Sequence, residues 1–479
     1  MSICRRGART TPQGERPPFF HCHCLAWPVL VSALALALGL HAGPLQANCI
    51  DEEAVRPQAS SPAPGPAAAV GNHSQPDPRA GLQLLVLEAL LRSNQVNASQ
   101  LNAEAAVDDI AEARAAKSVQ ASVGAGLGPG GSQSLAGTET SAIQLRATVS
   151  AGQLLYDGGR VDRLTDWRTQ LAESARQGHL TVREQVALNV ISLSLERSRF
   201  RQHVVVYGQY VRKMGCLVQA LDSIVKADRG RASELVQARK TMQQAELAQA
   251  QAMSQARQVE VRLRRLVGDG LPPADGLSTV LLAVPPLDDL VADVSRSSEI
   301  AALTAQALAM DRYVQAVNAS VRPQVSWNFS GAQNAGAGGS RGNTKSSTYA
   351  VGVAVNVPLL NAGHAPALNA ARKRALAADL QRAEALEARR FRVAEVYEQT
   401  TASFDRARRV AAVLRDSEQV RGFTLQQWQQ LGRRSLFDVM GAEAEHYNLR
   451  VAYVNALHDG QQLNANLLSL GRGVNEWLR

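Results

Sequence analysis

Aromatic residues make up only 4% of the 479-residue chain. So few large rings argue against one aromatic-rich globular core, and the Ala, Gln, Arg, Leu and Glu tracts suit long helices and coiled coils. Nowhere do 18 or more apolar residues run together, so no membrane-spanning helix is expected in the mature chain. There is no P-loop, no His-Glu-x-x-His and no Gly-x-Ser-x-Gly, and the nine histidines are scattered. No catalytic residue, cofactor-binding residue or metal ligand is therefore expected. The formal charge is +9, but acidic residues lie among the basic ones and no Lys-rich run or aromatic platform occurs. That pattern reads as solvated helix faces and excludes a nucleic-acid partner.

The N-terminus has the layout of an export signal. Arg5, Arg6, Arg9 and Arg16 precede an apolar run from Val29 to Leu40, and "LQAN" offers a cleavage point after Ala47. The "HCHC" cluster at 21–24 falls inside the part removed, and Asn48 before Cys49 spoils a lipoprotein signal. Cys49 and Cys216 would then remain, too few for a disulfide framework. Residues 48–79, rich in Pro and Ala, read as a disordered segment.

From there the chain repeats itself. "SVQASVGAGLG" at 118 is echoed by "RPQVSWNFSGA" at 322, and "VSAGQLLYDGGR" by "VNVPLLNAGH" at 355–364. Leu266-Val267-Gly268 and Leu470-Gly471 close the two units. The first repeat is expected over 80–270, a linker over 271–286, the second repeat over 287–471 and a short tail over 472–479. Within each, a helix leads into two strands (118–127 and 143–156; 321–331 and 347–360) joined by a polar, flexible loop. Two long helices follow (159–226 and 233–267; 363–430 and 435–469).

The strands alternate with a period of two. Val119, Val123 and Leu127 fall on one side with Ile143, Leu145 and Val149, while Gln, Ser, Thr, Gly and Arg146 fall on the other. A single strand of this kind suits a sandwich core, but no second sheet is available to cover four of them. Stretches of about nine to eleven such residues match a tilted outer-membrane strand, and Trp327, Phe329 and Tyr349 suit an interfacial girdle. Four strands cannot close a barrel, and an open edge in lipid is prohibitive, so several copies are expected to share one. Gly158, Gly159 and Gly363 mark the strand-to-helix elbows, where glycine tolerates unusual φ and close approach. About 68 uninterrupted helical residues reach on the order of 100 Å, too long for a compact domain of this size. A secreted structural coiled coil would explain the helices alone and leave the strands without a role.

The duplicated strand-loop-strand-"YDGGR"-helix order, with "LGRRSLFDVMGAEAEHYN" at 431–448, resembles the TolC family of outer-membrane efflux and secretion channels over roughly 80–473. The resemblance implies a mainly α protein with four membrane strands per chain in a shared trimeric β-barrel, continued by an antiparallel α-helical barrel. It implies residence in the outer membrane, docking to a periplasmic adaptor and an inner-membrane ABC transporter or drug pump, and no cofactor. On it, Asp438 rings the periplasmic entrance, while Arg434 holds the closed tip with Glu234 as acidic partner; solvated helix-end charges are the plain alternative. Gly441 and Gln429 depart from the acidic ring and gate tyrosine of some relatives. The cargo it suggests is an exported protein toxin of a type I secretion system, with small toxic molecules as the alternative.

Overall fold

The computed structural model describes residues 77–133, 139–272, 276–339, 342–431 and 434–479. The expected export signal, with the 21–24 cluster and Cys49, lies outside the described residues, as does most of the Pro/Ala-rich segment.

Helix α1 (Pro78–Arg92) begins inside the stretch expected to be disordered. The Asp77 carboxylate caps it by accepting the Arg79 amide at 3.0 Å, and Pro78 has no first-turn N–H to satisfy. Helix α2 (Asn94–Ala115) then starts afresh, because the Ser93 hydroxyl accepts the Val96 amide at 3.3 Å. The second repeat breaks at the matching place, with α5 (Leu287–Val294) and α6 (Ser298–Ala319) separated by residues 295–297. Each repeat thus opens with two helices rather than the single one expected.

The four strands β1 (Gln120–Gln133), β2 (Glu139–Tyr156), β3 (Gln324–Gly339) and β4 (Gly342–Asn356) form one antiparallel sheet in the order β1-β2-β3-β4. The two hairpins lie side by side through the β2–β3 ladder. Pairing extends through Gly130↔Ala142 and Gly336↔Thr344, into the stretches expected to be flexible loops. A backbone ladder needs no side chains, so Gly- and Ser-rich ends zip up once register is set below them. At the other end, β3 starts only after Pro323 and β4 stops before Pro358. Proline cannot donate to the ladder, which trims this end of each strand back from the expected 321 and 360, although both strands run further at the loop end.

Helices α3 (Arg160–Ala227) and α7 (His364–Leu431) each run 68 residues. Their returning partners are α4 (Ala232–Val267) and α8 (Leu436–Leu470). Small residues Ala238, Ala245 and Ala252 are buried on α4 and let it lie close along α3. No helix among the described residues is long and apolar enough to cross a membrane.

One core joins α1, α3, α4, α8 and the inter-repeat linker through Leu82, Ile191, Leu263, Leu277 and Ala465. The linker is gripped by two buried amides of α8. Gln461 donates to the Leu277 and Val280 carbonyls at 2.8 and 2.7 Å, and Asn464 to Leu281 and Ala283 at 2.7 and 2.9 Å. Leu281 is held there at a φ of 58°, rare for a branched side chain. The expected tail instead forms a last helix, α9 (Val474–Leu478), with Val474 and Leu478 in the same core. Its start is held by Glu184, which accepts the Val474 amide and the Asn475 side-chain amide, the latter at 2.8 Å. A second core lies toward the far ends of the long helices, around Tyr210, Met214, Leu235, Leu436 and Tyr447.

Candidate functional site

The sheet presents two unlike faces. Residues paired across an antiparallel ladder share a side, so Val123, Val149, Gly331 and Tyr349 form one row and Ala121, Ala151, Phe329 and Val351 the next. This apolar face is bare: Val123 is 81% exposed, Leu127 73%, Tyr349 84% and Val351 73%. Soluble monomers rarely leave so contiguous an apolar surface uncovered. On the opposite face the rows are small and polar. The Ser122 and Ser150 hydroxyls share a 2.7 Å hydrogen bond, and Gly124 leaves room for Thr148, whose hydroxyl donates to the Gly124 carbonyl at 3.4 Å. Strands β1 and β4 each have a neighbour on one side only.

The first elbow is built by Asp157, a buried carboxylate that accepts the Gly159 amide at 2.9 Å and the Val161 amide at 2.5 Å. It thereby caps α3 and bends the chain out of β2. Gly158 and Gly159 have φ of 64° and 84°, the left-handed region that glycine occupies without strain. A side chain on Gly158 would also run into Arg322, which donates to the Gly158 carbonyl at 2.7 Å. The second elbow differs from the expectation. Gly363 does not adopt a positive φ; the turn is made by Asn361, whose side chain accepts the Gly363 amide at 3.1 Å. Glycine is dispensable there.

At the far ends, Asp438 has a local task. It accepts the Ser435 amide at 3.1 Å while the Ser435 hydroxyl accepts the Phe437 amide at 3.1 Å, a capping box that starts α8. Arg434 donates to Gln427 on its own α7 at 3.2 Å, and Glu234 sits 3.4 Å from Arg231 at the start of α4. Within one chain Arg434 and Glu234 do not meet.

The structure adds a residue that sequence reading passed over. Glu443 on α8 is fully buried, 3.7 Å from Lys213 of α3 and 3.5 Å from Arg421 of α7. It ties the two coiled-coil pairs together next to the stacked rings of Tyr210 and Tyr447, 4.7 Å apart. Burial, and then the charge of Glu443, push the Tyr210 hydroxyl up to about 12. The only signal was Glu443's position in "GAEAEHYN", and nothing local distinguishes it from Glu445. No group of three or more potential metal ligands occurs among the described residues.

Residues 85–269 match the family described as outer membrane efflux protein. None of the curated proteins matches the chain. Solved structures do. A membrane protein from Pseudomonas aeruginosa superposes with a TM-score of 0.72 at 18% identity, covering 87% of this chain and 98% of that one. The outer membrane protein VceC of Vibrio cholerae gives 0.68 at 19%, covering 82% and 97%. The CmeC outer membrane channel of Campylobacter jejuni gives 0.67 at 13%, covering 82% and 86%. The fold of these proteins is mainly helical with a small antiparallel sheet, as here. The first repeat thus matches the outer membrane efflux protein family, and the chain shares its fold with outer membrane proteins such as VceC and the CmeC channel.

Proposed function

We propose that three copies of this chain close a twelve-stranded barrel, each giving its four strands, and continue as a helical tunnel that conducts cargo out of the cell. The observation that carries this reading is the sheet: two unpaired edges and an uncovered apolar face, with a polar face behind it. Joining β1 of one copy to β4 of the next satisfies both edges and sets the apolar rows against lipid. The conduit is passive, and energy comes from an inner-membrane transporter engaged through a periplasmic adaptor.

The cargo we assign is an exported protein delivered by an ABC transporter, a type I arrangement such as one releasing an RTX or adenylate cyclase toxin. The sequence resemblance is its support. The family's description as efflux proteins supports small toxic molecules, carried by a multidrug pump through the same conduit. Deleting the chain in its host separates them: lost toxin release with unchanged drug tolerance fits protein export, and the reverse fits drug efflux. A heat-indifferent monomer in the soluble fraction would sink the channel itself.

At the tip, the proposal places three Asp438 carboxylates around the entrance and lets Arg434 of one copy reach Glu234 of another. Contacts between such exposed charges are worth about 0.2 to 1 kcal/mol each, weak enough for adaptor docking to break. Asp438→Ala should weaken block of planar-bilayer current by multivalent cations. It should also cost about 0.3–1 kcal/mol, because α8 keeps its Ser435 cap and loses only the acidic half of the capping box.

A further inference from the structure

We propose that Arg146 makes the outer end of the pore favour anionic solutes, an inference that rests on the three-copy channel reading. Of the strand residues whose side chains are described, 120–130, 143–156, 324–336 and 345–356, only Arg146 and Lys345 are charged. The register puts them on opposite faces. Lys345 pairs with Ala335, in line with Leu145 and Leu127, and so belongs to the apolar, lipid-directed side. Arg146 stands in the row Gly126, Arg146, Asn334, Ser346.

No acid shares that row, nor the flanking rows Gly124–Thr148–Ala332–Thr348 and Gly128–Gln144–Gly336–Thr344. Arg146 is exposed, and the space above Gly126 beside it is open. Its height matters as well. Ile143, Leu145 and Val149 bracket Arg146 on the other face, so the residue lies at the depth of the apolar band. On the polar side its guanidinium meets water rather than lipid.

In a closed ring the row becomes a collar of three guanidiniums with no counter-charge in a wall of Gly, Ser, Thr and Asn. In a lumen of this strand number the charges lie roughly 10 Å from the axis. At about 10 mM salt the Debye length is about 30 Å and their fields overlap across the pore; at 1 M it is about 3 Å and they do not. Chloride should therefore be preferred over potassium a few-fold at low salt, with the preference lost at high salt. The cargo class favoured at this exit is the anionic one, whatever the acidic ring at the other end selects.

The test is the reversal potential of full-length protein in planar bilayers under a potassium chloride gradient, at about 10 mM and about 1 M mean salt. Arg146→Gln should move the low-salt permeability ratio toward cations by about threefold. Arg146→Lys should keep the wild-type ratio, and Lys345→Gln should leave it unchanged. An Arg146→Gln pore with wild-type selectivity, or a Lys345→Gln shift as large, overturns the collar and leaves the channel standing. A wild-type ratio identical at both salt concentrations overturns the collar too, independently of any variant. A wild-type protein that forms no pore overturns both readings.

Discussion

A lysine placed at Val351 and one placed at Ala350 differ by a single residue along β4 and should have opposite fates. Val351 shares its row with Phe329, Ala151 and Ala121 and is 73% exposed on the apolar face. Ala350 shares its row with Ser330, Ser150 and Ser122 on the polar face. A lysine facing lipid near the bilayer midplane costs about 2–4 kcal/mol. Three copies in one barrel would multiply that to about 6–12 kcal/mol, as large as the whole stability of an ordinary fold. The lumen-facing lysine meets water and costs close to nothing. The assay is the amount of heat-dissociable oligomer in outer-membrane fractions, with Val351→Lys nearly abolishing it and Ala350→Lys near wild type. Equal tolerance of both would refute the assignment of faces, as would greater damage from Ala350→Lys. Spin labels at Val353 and Ala354 give an independent reading: hydrocarbon surroundings for the first, water for the second.

Three further outcomes follow from the interior. Gly158→Ala forces an ordinary residue into a φ of 64° and against Arg322, costing about 1–2 kcal/mol from the backbone alone. Gly363→Ala should be near neutral, and thermal dissociation of the two variants side by side measures the contrast. His203 is held neutral by burial and then by Arg199, which lower it from 6.5 to about 4. Between those values the unfolded chain binds a proton that the folded chain refuses. Stability should therefore fall as pH drops from about 6.5 to about 4, by up to about 3 kcal/mol per chain. His203→Gln should flatten that part of the denaturation profile. Glu443→Ala leaves Lys213 and Arg421 facing each other without their shared carboxylate, a loss on the order of 3–5 kcal/mol. Adding Lys213→Met should recover part of it in chemical denaturation.

What the sequence made legible was whatever depends on local periodicity. Alternation through Ile143, Leu145 and Val149 marks a two-sided strand, and the absence of proline between 161 and 271 permits a helix of many turns. The mainly helical composition with a small antiparallel sheet was readable on those grounds. The Gly-rich strand ends were not, because their pairing comes from the ladder beneath them and glycine carries no pattern. Ser93 stops a helix by capping the next turn, a competition that averages over a long apolar period do not show. Gly363 misled by analogy with Gly158, since the second elbow uses an asparagine side chain where the first uses a left-handed backbone. At the tip, Asp438 was read for its charge and proves also to hold the start of α8, while Glu443 was invisible. Its burial depends on Lys213 and Arg421, and Lys213 is more than two hundred residues away.

The bare margins of β1 and β4 also bear on inheritance. In a ring of three, every subunit must offer both margins to its neighbours, so one copy with a spoiled margin disables the whole ring. If altered and normal chains were made in equal amounts and mixed freely, only about one ring in eight would be wholly normal. An allele with proline in the middle of β4 that still reached its partners would behave as a dominant poison, whereas a deletion would be merely recessive.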